Sequence, residues 1–206
     1  MYTPRNLPHV HNARMTHRVI DRAAAAQAIN DFLRALGHEP TGELEGTGER
    51  VADAWADDLL EGQSIDAAAV LREGSLAVSP AGTGLVIVRD LAVTTVCPHH
   101  LLPAFGSATL AYLPRARVAG FGSLARVVDV VARRLILQEQ IGTTVVDLVC
   151  SELDAEAALC RLALTHTCLV SRGERKTSAI VETIAFGGAF AHDVAGQTLA
   201  LTALGR

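Results

Sequence analysis

The chain reads as an α+β protein, an antiparallel sheet with helices packed on one face, preceded by an N-terminal helical segment. Three observations carry this reading. Apolar residues recur at helical spacing near the N-terminus and again in mid-chain, short runs rich in β-branched residues come in two pairs, and the mid-chain helical stretch lies between those pairs.

The elements follow in order. Residues 1–20, polar from Met1 to Arg18 with scattered prolines and histidines, lack periodicity and read as an arm or a strap over a neighbouring subunit. From Asp21 to Leu36 the residues Ala26, Ile29, Phe32, Leu33 and Leu36 predict a helix that Gly37 ends in a left-handed cap. A linker rich in glycine and glutamate, His38 to Gly48, precedes a second helix from Glu49 to Leu60 that stops near Gly62. After a mixed stretch to Gly84, the run Leu85 to Val96 predicts a strand, bent or bulged at Arg89-Asp90, with Ala104 to Leu113 as its antiparallel partner. Gly120 and Gly122 open a long helical pattern from Ser123 to about Leu153, with Gly142 as a candidate kink. Two strands close the pattern, Ala158 to Val170 and Thr177 to Phe186, joined by a turn at Ser171 to Lys176. The organisation is thus an arm (1–20), a helical segment (21–62) and a principal domain (63–206).

Composition narrows the function. Half of the 206 residues are apolar and 19% charged, as in a globular protein. A net charge of −4 gives no global basic field for nucleic acid, and aromatics at 4% leave little for stacking on bases, so a small ligand is expected. No apolar run approaches the roughly 18 residues of a membrane-spanning helix, which predicts a soluble, cytoplasmic protein. The cysteines, at 97, 150, 160 and 168, are too few and too spread for a disulfide framework.

Cys97 and His100 form a C-x-x-H pair at the end of a predicted strand, and a turn of that length can aim a thiolate and an imidazole at one zinc ion. His99 is adjacent. His166 and Cys168 stand at alternate positions of a later predicted strand and therefore share a face. If that face meets the 97–100 turn, the donors match a catalytic zinc that keeps one position open for water. Cys150 and Cys160 lie in apolar contexts without a neighbouring histidine and read as core.

Thr95-Val96-Cys97-Pro98-His99-His100-Leu101-Leu102-Pro103 resembles the zinc-binding segment of GTP cyclohydrolase I, Cys-Glu-His-His-Leu-Leu-Pro. The likeness continues through Thr47 to Ala52, Gly106 to Pro114, Gly120 to Arg126, Leu135 to Glu139, His166-Thr167-Cys168 and Arg172-Gly173, in the family's order, over roughly residues 22–190. The resemblance implies a tunnelling fold whose sheets close into a barrel on oligomerisation, a ring-like homodecamer with sites at subunit contacts. It also implies Cys97, His100 and Cys168 as zinc ligands, and His99 and His166 as catalytic histidines, a residue type that titrates near neutral pH. Glu139, with Gln138 beside it, would grip the guanine edge, a carboxylate accepting from N1–H and the 2-amino group. Arg50, Arg126 and Arg172 would contact the triphosphate, with Ser123 in the same phosphate-binding stretch.

The implied reaction converts GTP and water to formate and 7,8-dihydroneopterin triphosphate by attack on guanine C8. This sequence departs from the family pattern at Pro98, where a glutamate is expected, at Gly122 and Ser123, which stand for a serine and a lysine (a one-residue slip would restore the serine at Ser123 but no placement restores the lysine), and at Gly48, which stands for a proline. Two other readings compete with the first. One is a diverged zinc homologue acting on another purine or pterin, or stopping at a ring-opened intermediate. The other is a non-catalytic zinc module, with His99 or His166 as a fourth ligand closing the site.

Overall fold

A computed structural model describes residues 20–77 and 84–204; all but Ile20 of the arm expected at residues 1–20 lies outside them. Asp21 caps the first helix, α1 (Arg22–Ala35), its carboxylate accepting from the Ala24 amide. Gly37, at φ 86°, supplies the left-handed residue after its end. Helix α1 packs on α2 (Thr47–Asp53), which runs on as a π-helical stretch, Ala54–Leu59. Their close approach depends on Gly48, where a Cβ would lie 2.5 Å from the Ala26 carbonyl oxygen and 2.7 Å from Asn30 Oδ1.

The mixed stretch before Gly84 holds two elements that its pattern does not announce. Helix α3 (Ala67–Glu73) is capped by Asp66, and strand β1 (Ser75–Ala77) pairs with β4 (Arg117–Ala119) in a small separate sheet. The main sheet is antiparallel throughout, in the order β2 (Val86–Val96), β3 (Pro103–Leu113), β5 (Ala157–His166), β6 (Val181–Gly188). The break expected at Arg89-Asp90 is a bulge, with the register shifting between Val88 and Leu91 and Asp90 at φ 53°.

Two sequence expectations are corrected. The helical stretch from Ser123 to about Leu153 is two helices, α4 (Phe121–Ala132) and α5 (Gln138–Glu152), and Gly142 lies inside α5 rather than at a kink. The interruption is tertiary in origin. Arg134 donates to the Gly62 and Ile65 carbonyls at 2.9 and 3.2 Å, and Leu135 forms a parallel bridge with Val96. The strand expected from Ala158 to Val170 ends at His166 and turns into a short helix, α6 (Thr167–Val170). The next position on its partner β3 is Pro103, which has no amide to donate to the ladder, and the Thr167 hydroxyl donates to the Pro103 carbonyl at 2.6 Å.

Helices α3, α4 and α5 bury the main core against one sheet face, around Val93, Leu110, Tyr112, Cys160, Leu162 and Leu164. Helices on one face alone is not the whole arrangement. The last helix, α7 (Val194–Ala203), packs Ala200 and Leu204 against Ala111 and Leu159 on the opposite face, where alternate positions of β3 and β5 are also apolar. Among the described residues no helix is long and apolar enough to cross a membrane.

Gly48→Ala forces α1 and α2 apart at a backbone contact and is expected to cost about 1–3 kcal/mol, the range for overpacking a tight site. Urea denaturation measures it, and an unchanged midpoint would show that the two helices do not meet at Gly48.

Candidate metal centre

The loop between β2 and β3 is held by its own backbone. The Cys97 amide donates to the Leu102 carbonyl at 2.9 Å, and the His100 and Leu101 amides both donate to the Cys97 carbonyl, at 3.3 and 2.8 Å. Pro98, with its fixed φ and no amide hydrogen, suits the second position of this turn, and Leu101 completes it at φ 54°. The result sets Cys97 Sγ 3.6 Å from His100 Nδ1.

Cys168 arrives from the other side. It lies in the first turn of α6, not on a strand as its spacing from His166 suggests, and the Thr167–Pro103 hydrogen bond ties that turn to the start of β3. One donor atom each of Cys97, His100 and Cys168 lie within 4.8 Å of one another. A tetrahedral zinc with bonds of ~2.3 Å to sulfur and ~2.05 Å to nitrogen separates those two atoms by ~3.6 Å, so the Cys97–His100 spacing fits this ion. Three soft or borderline donors leave a fourth position for a non-protein ligand. The Cys168 thiol is pushed up by burial and then by the neighbouring Cys97 sulfur, with Arg172 acting in the opposite direction. A bound dication would relieve the resistance of Cys168 to ionisation. Cys160, wholly buried, is pushed up to about 12, and Cys150 is raised by burial and by Asp147; neither belongs to the cluster.

Beside the three donors lies a cavity of about 260 Å³ that His99, Gln138, Glu139 and His166 also border. The antiparallel register builds its floor. Thr95 pairs with Ala104 and Ala104 with His166, so these side chains stand in one row on the helix-facing side of the sheet, with a bare methyl group between the outer two. The first turn of α5 brings in Gln138 and Glu139.

Gln138 is 4% exposed and every polar atom it carries is engaged within the chain. Its Nε2 donates to the Val181 carbonyl at 2.9 Å, to Thr183 Oγ1 at 3.1 Å and, at 3.5 Å, to the Leu162 carbonyl. Carbonyls only accept, so the amide orientation is fixed, and Oε1 faces His166 Nε2 at 2.6 Å. The neutral His166 ring therefore carries its hydrogen on Nε2 and leaves Nδ1 as an acceptor. Burial pulls the His166 pKa below its ordinary value, and the Glu139 carboxylate opposes that shift.

The remaining predicted residues do not border this cavity within the chain. Arg50 is exposed and its guanidinium donates to Thr47 Oγ1 at 3.0 Å. Arg126 is paired with Glu61 at 3.0 Å, and Arg172 is exposed in the turn after α6. Ser123 turns its hydroxyl toward Gly74, so closely that a Cβ there would lie 1.8 Å from Oγ. Conversely, Thr95, Ile136, Leu137, Leu169 and Val181 border the cavity without having been singled out from sequence. Thr95 alone among them carried a signal, standing two strand positions before Cys97.

The family model described as GTP cyclohydrolase I matches residues 25–204. A protein named GTP cyclohydrolase 1 from Deinococcus radiodurans is 38% identical over 79% of this chain and 74% of its own length. Proteins of the same name from Rhodopirellula baltica and Leifsonia xyli are 37% and 36% identical, over 86% and 87% of this chain and 76% and 93% of their own.

Gln138→Leu strips the Val181 carbonyl and His166 Nε2 of their partner, and an unmade buried hydrogen bond costs ~1–3 kcal/mol. A lower thermal midpoint is expected, with the cysteine cluster still able to take up metal. Wild-type stability in this variant would show that the amide is not the fastener between α5, β5 and β6.

Proposed function

The chain belongs to the GTP cyclohydrolase I family, and on that premise we propose that it converts GTP and water to 7,8-dihydroneopterin triphosphate and formate at the cavity beside Cys97, His100 and Cys168. The observation that carries this reading is the convergence of those three donors with His166, His99 and Glu139 on one cavity.

Cys97, His100 and Cys168 would hold zinc, which when bound would supply the Lewis acidity needed to activate water. Glu139 orients the ring by accepting from N1–H and the 2-amino group, which selects guanine over purines that lack this donor pair. Opening of the imidazole ring needs a proton at the departing nitrogen. His166 can carry it on Nδ1, because Gln138 holds the opposite nitrogen and fixes the plane of the ring. Gln138 thus acts through His166. His99, at the cavity rim, is the other histidine outside the metal-binding cluster that borders the cavity.

Phosphate recognition falls to Arg50, Arg126 and Arg172, whose planar guanidinium groups suit bidentate contact with phosphate oxygens. None of them borders the cavity within one chain, and its 260 Å³ lies below the ~300–1,000 Å³ of most small-molecule sites. Both facts support a site completed by a second subunit. Strands β2 and β6 are the outer strands of the main sheet, and pairing such edges between subunits into a barrel removes the exposed ladders. A homodecamer with shared sites is the assembly we propose.

A second reading has its own support. Ser123 stands where the family pattern has a lysine, so a ligand with fewer phosphates is the alternative substrate.

One zinc per chain is expected by metal analysis, lost in Cys97→Ala, His100→Ala and Cys168→Ala and retained in Cys150→Ala and Cys160→Ala. Full occupancy in the Cys168→Ala protein would remove that ligand from the assignment. The zinc-loaded protein should release formate from GTP and yield fluorescent neopterin after oxidation. Glu139→Gln should weaken ring binding about tenfold to a hundredfold, since an amide presents its own donors to the guanine edge. The comparison of kcat/KM for GTP, GMP and guanosine at fixed salt decides the substrate, and a preference for guanosine or GMP would favour the second reading.

A further inference from the structure

Thr95 is 2% exposed, and its Oγ1 is sealed from solvent without a hydrogen-bond partner anywhere in the described chain. Leaving a buried hydroxyl unpaired costs on the order of 1–3 kcal/mol, and native structures rarely tolerate one unless something the bare chain lacks will pair with it. Its place indicates the partner. Alternation along β2 puts Val93 and Thr95 on the helix-facing side, the next position in that series is Cys97, and Thr95 borders the same cavity as the metal-binding cluster.

The Cys97 sulfur takes no hydrogen bond from the amides of Cys97, His100 or Leu101. Cys97 spends its amide on the Leu102 carbonyl, Pro98 has none to offer, and the His100 and Leu101 amides are directed at the Cys97 carbonyl rather than the sulfur. As a thiol, Cys97 is a weak acceptor. As a metal-bound thiolate it carries a full negative charge in a nearly buried position and calls for a donor. Rotation about one side-chain bond turns the Thr95 hydroxyl along the strand toward that sulfur.

We propose that Thr95 is a positioning residue for the metal centre, its hydroxyl donating to Cys97 Sγ when that sulfur is a metal-bound thiolate. The inference rests on the zinc reading given above. Such donors orient a ligand and offset its charge, and their removal typically costs 10–100-fold in metal affinity.

The test titrates zinc against a chromophoric chelator in wild type, Thr95→Val and Thr95→Ser, alongside spectra of the cobalt-substituted proteins and thermal melts of the metal-free ones. The valine variant should bind zinc ~10–100-fold more weakly, with its thiolate-to-cobalt charge-transfer band shifted to longer wavelength, and serine should restore both. In the metal-free state valine should melt no lower than wild type, because it removes an unpaired polar group. Wild-type zinc affinity in the valine variant overturns the inference alone, and weakened GTP binding beside it would reassign the hydroxyl to the substrate. A lowered metal-free melting point in that variant overturns it as well, by making the hydroxyl structural. A wild-type chain that takes up no zinc removes the metal reading and this inference together.

Discussion

The centre depends on one constraint, the antiparallel register at the end of the main sheet. Val96 pairs with Pro103, and one residue further along β3 Ala104 pairs with His166. The first pair closes the loop that carries Cys97 and His100. The second fixes where β5 leaves the ladder, and so where the chain turns to present Cys168. A slip of one residue between β3 and β5 would send His166 to the opposite face and Leu162 and Leu164 out of the core. The core and the site are therefore held in register by the same burial. Helix α5 is fastened to that register through Gln138, which reaches both β5 and β6.

How much of this was legible depended on the range of the interaction involved. Helix α1 carried its own cap at Asp21 and its own stop at Gly37, so its bounds could be read to within a residue. The bulge at Asp90 was equally local, since two charged residues interrupt an otherwise apolar run. The separation of α4 from α5 was not legible. Residues such as Ile136 and Leu137 keep the segment apolar, and what stops the helix is a pair of carbonyls from Gly62 and Ile65, far away in sequence, that take the Arg134 guanidinium. The elements α3, β1, β4 and α7 are short or lack a contrasting polar face, and such segments leave little periodic trace.

The site shows the same division. The spacing of Cys97 and His100 is a local property of a closed turn, and it could be read directly. Cys168 lies beside Cys97 and His100, although not through alternate positions on a strand, the geometry its spacing from His166 suggests. Its sulfur arrives because Thr167 pins the turn to Pro103. Gln138 was matched by motif as a ring contact, but its burial and its bonds belong to His166 and the sheet, a role visible only once β6 is in place.

The departures from the family pattern take on a physical meaning in this setting. Pro98 removes a carboxylate beside the Cys97–His100 loop but fits the turn, whose hydrogen bonds come from the amides of Cys97, His100 and Leu101 and need none from position 98. Glu139 is thereby left as the acidic side chain at the cavity. On the cationic side, Glu61 accepts from Arg126 and also lies 3.4 Å from Arg133 Nε, so one carboxylate holds two guanidinium groups in a partly buried cluster. A triphosphate that recruits Arg126 must compete with this carboxylate or share the guanidinium with it. Several phosphate charges could meet that cost where a neutral nucleoside could not.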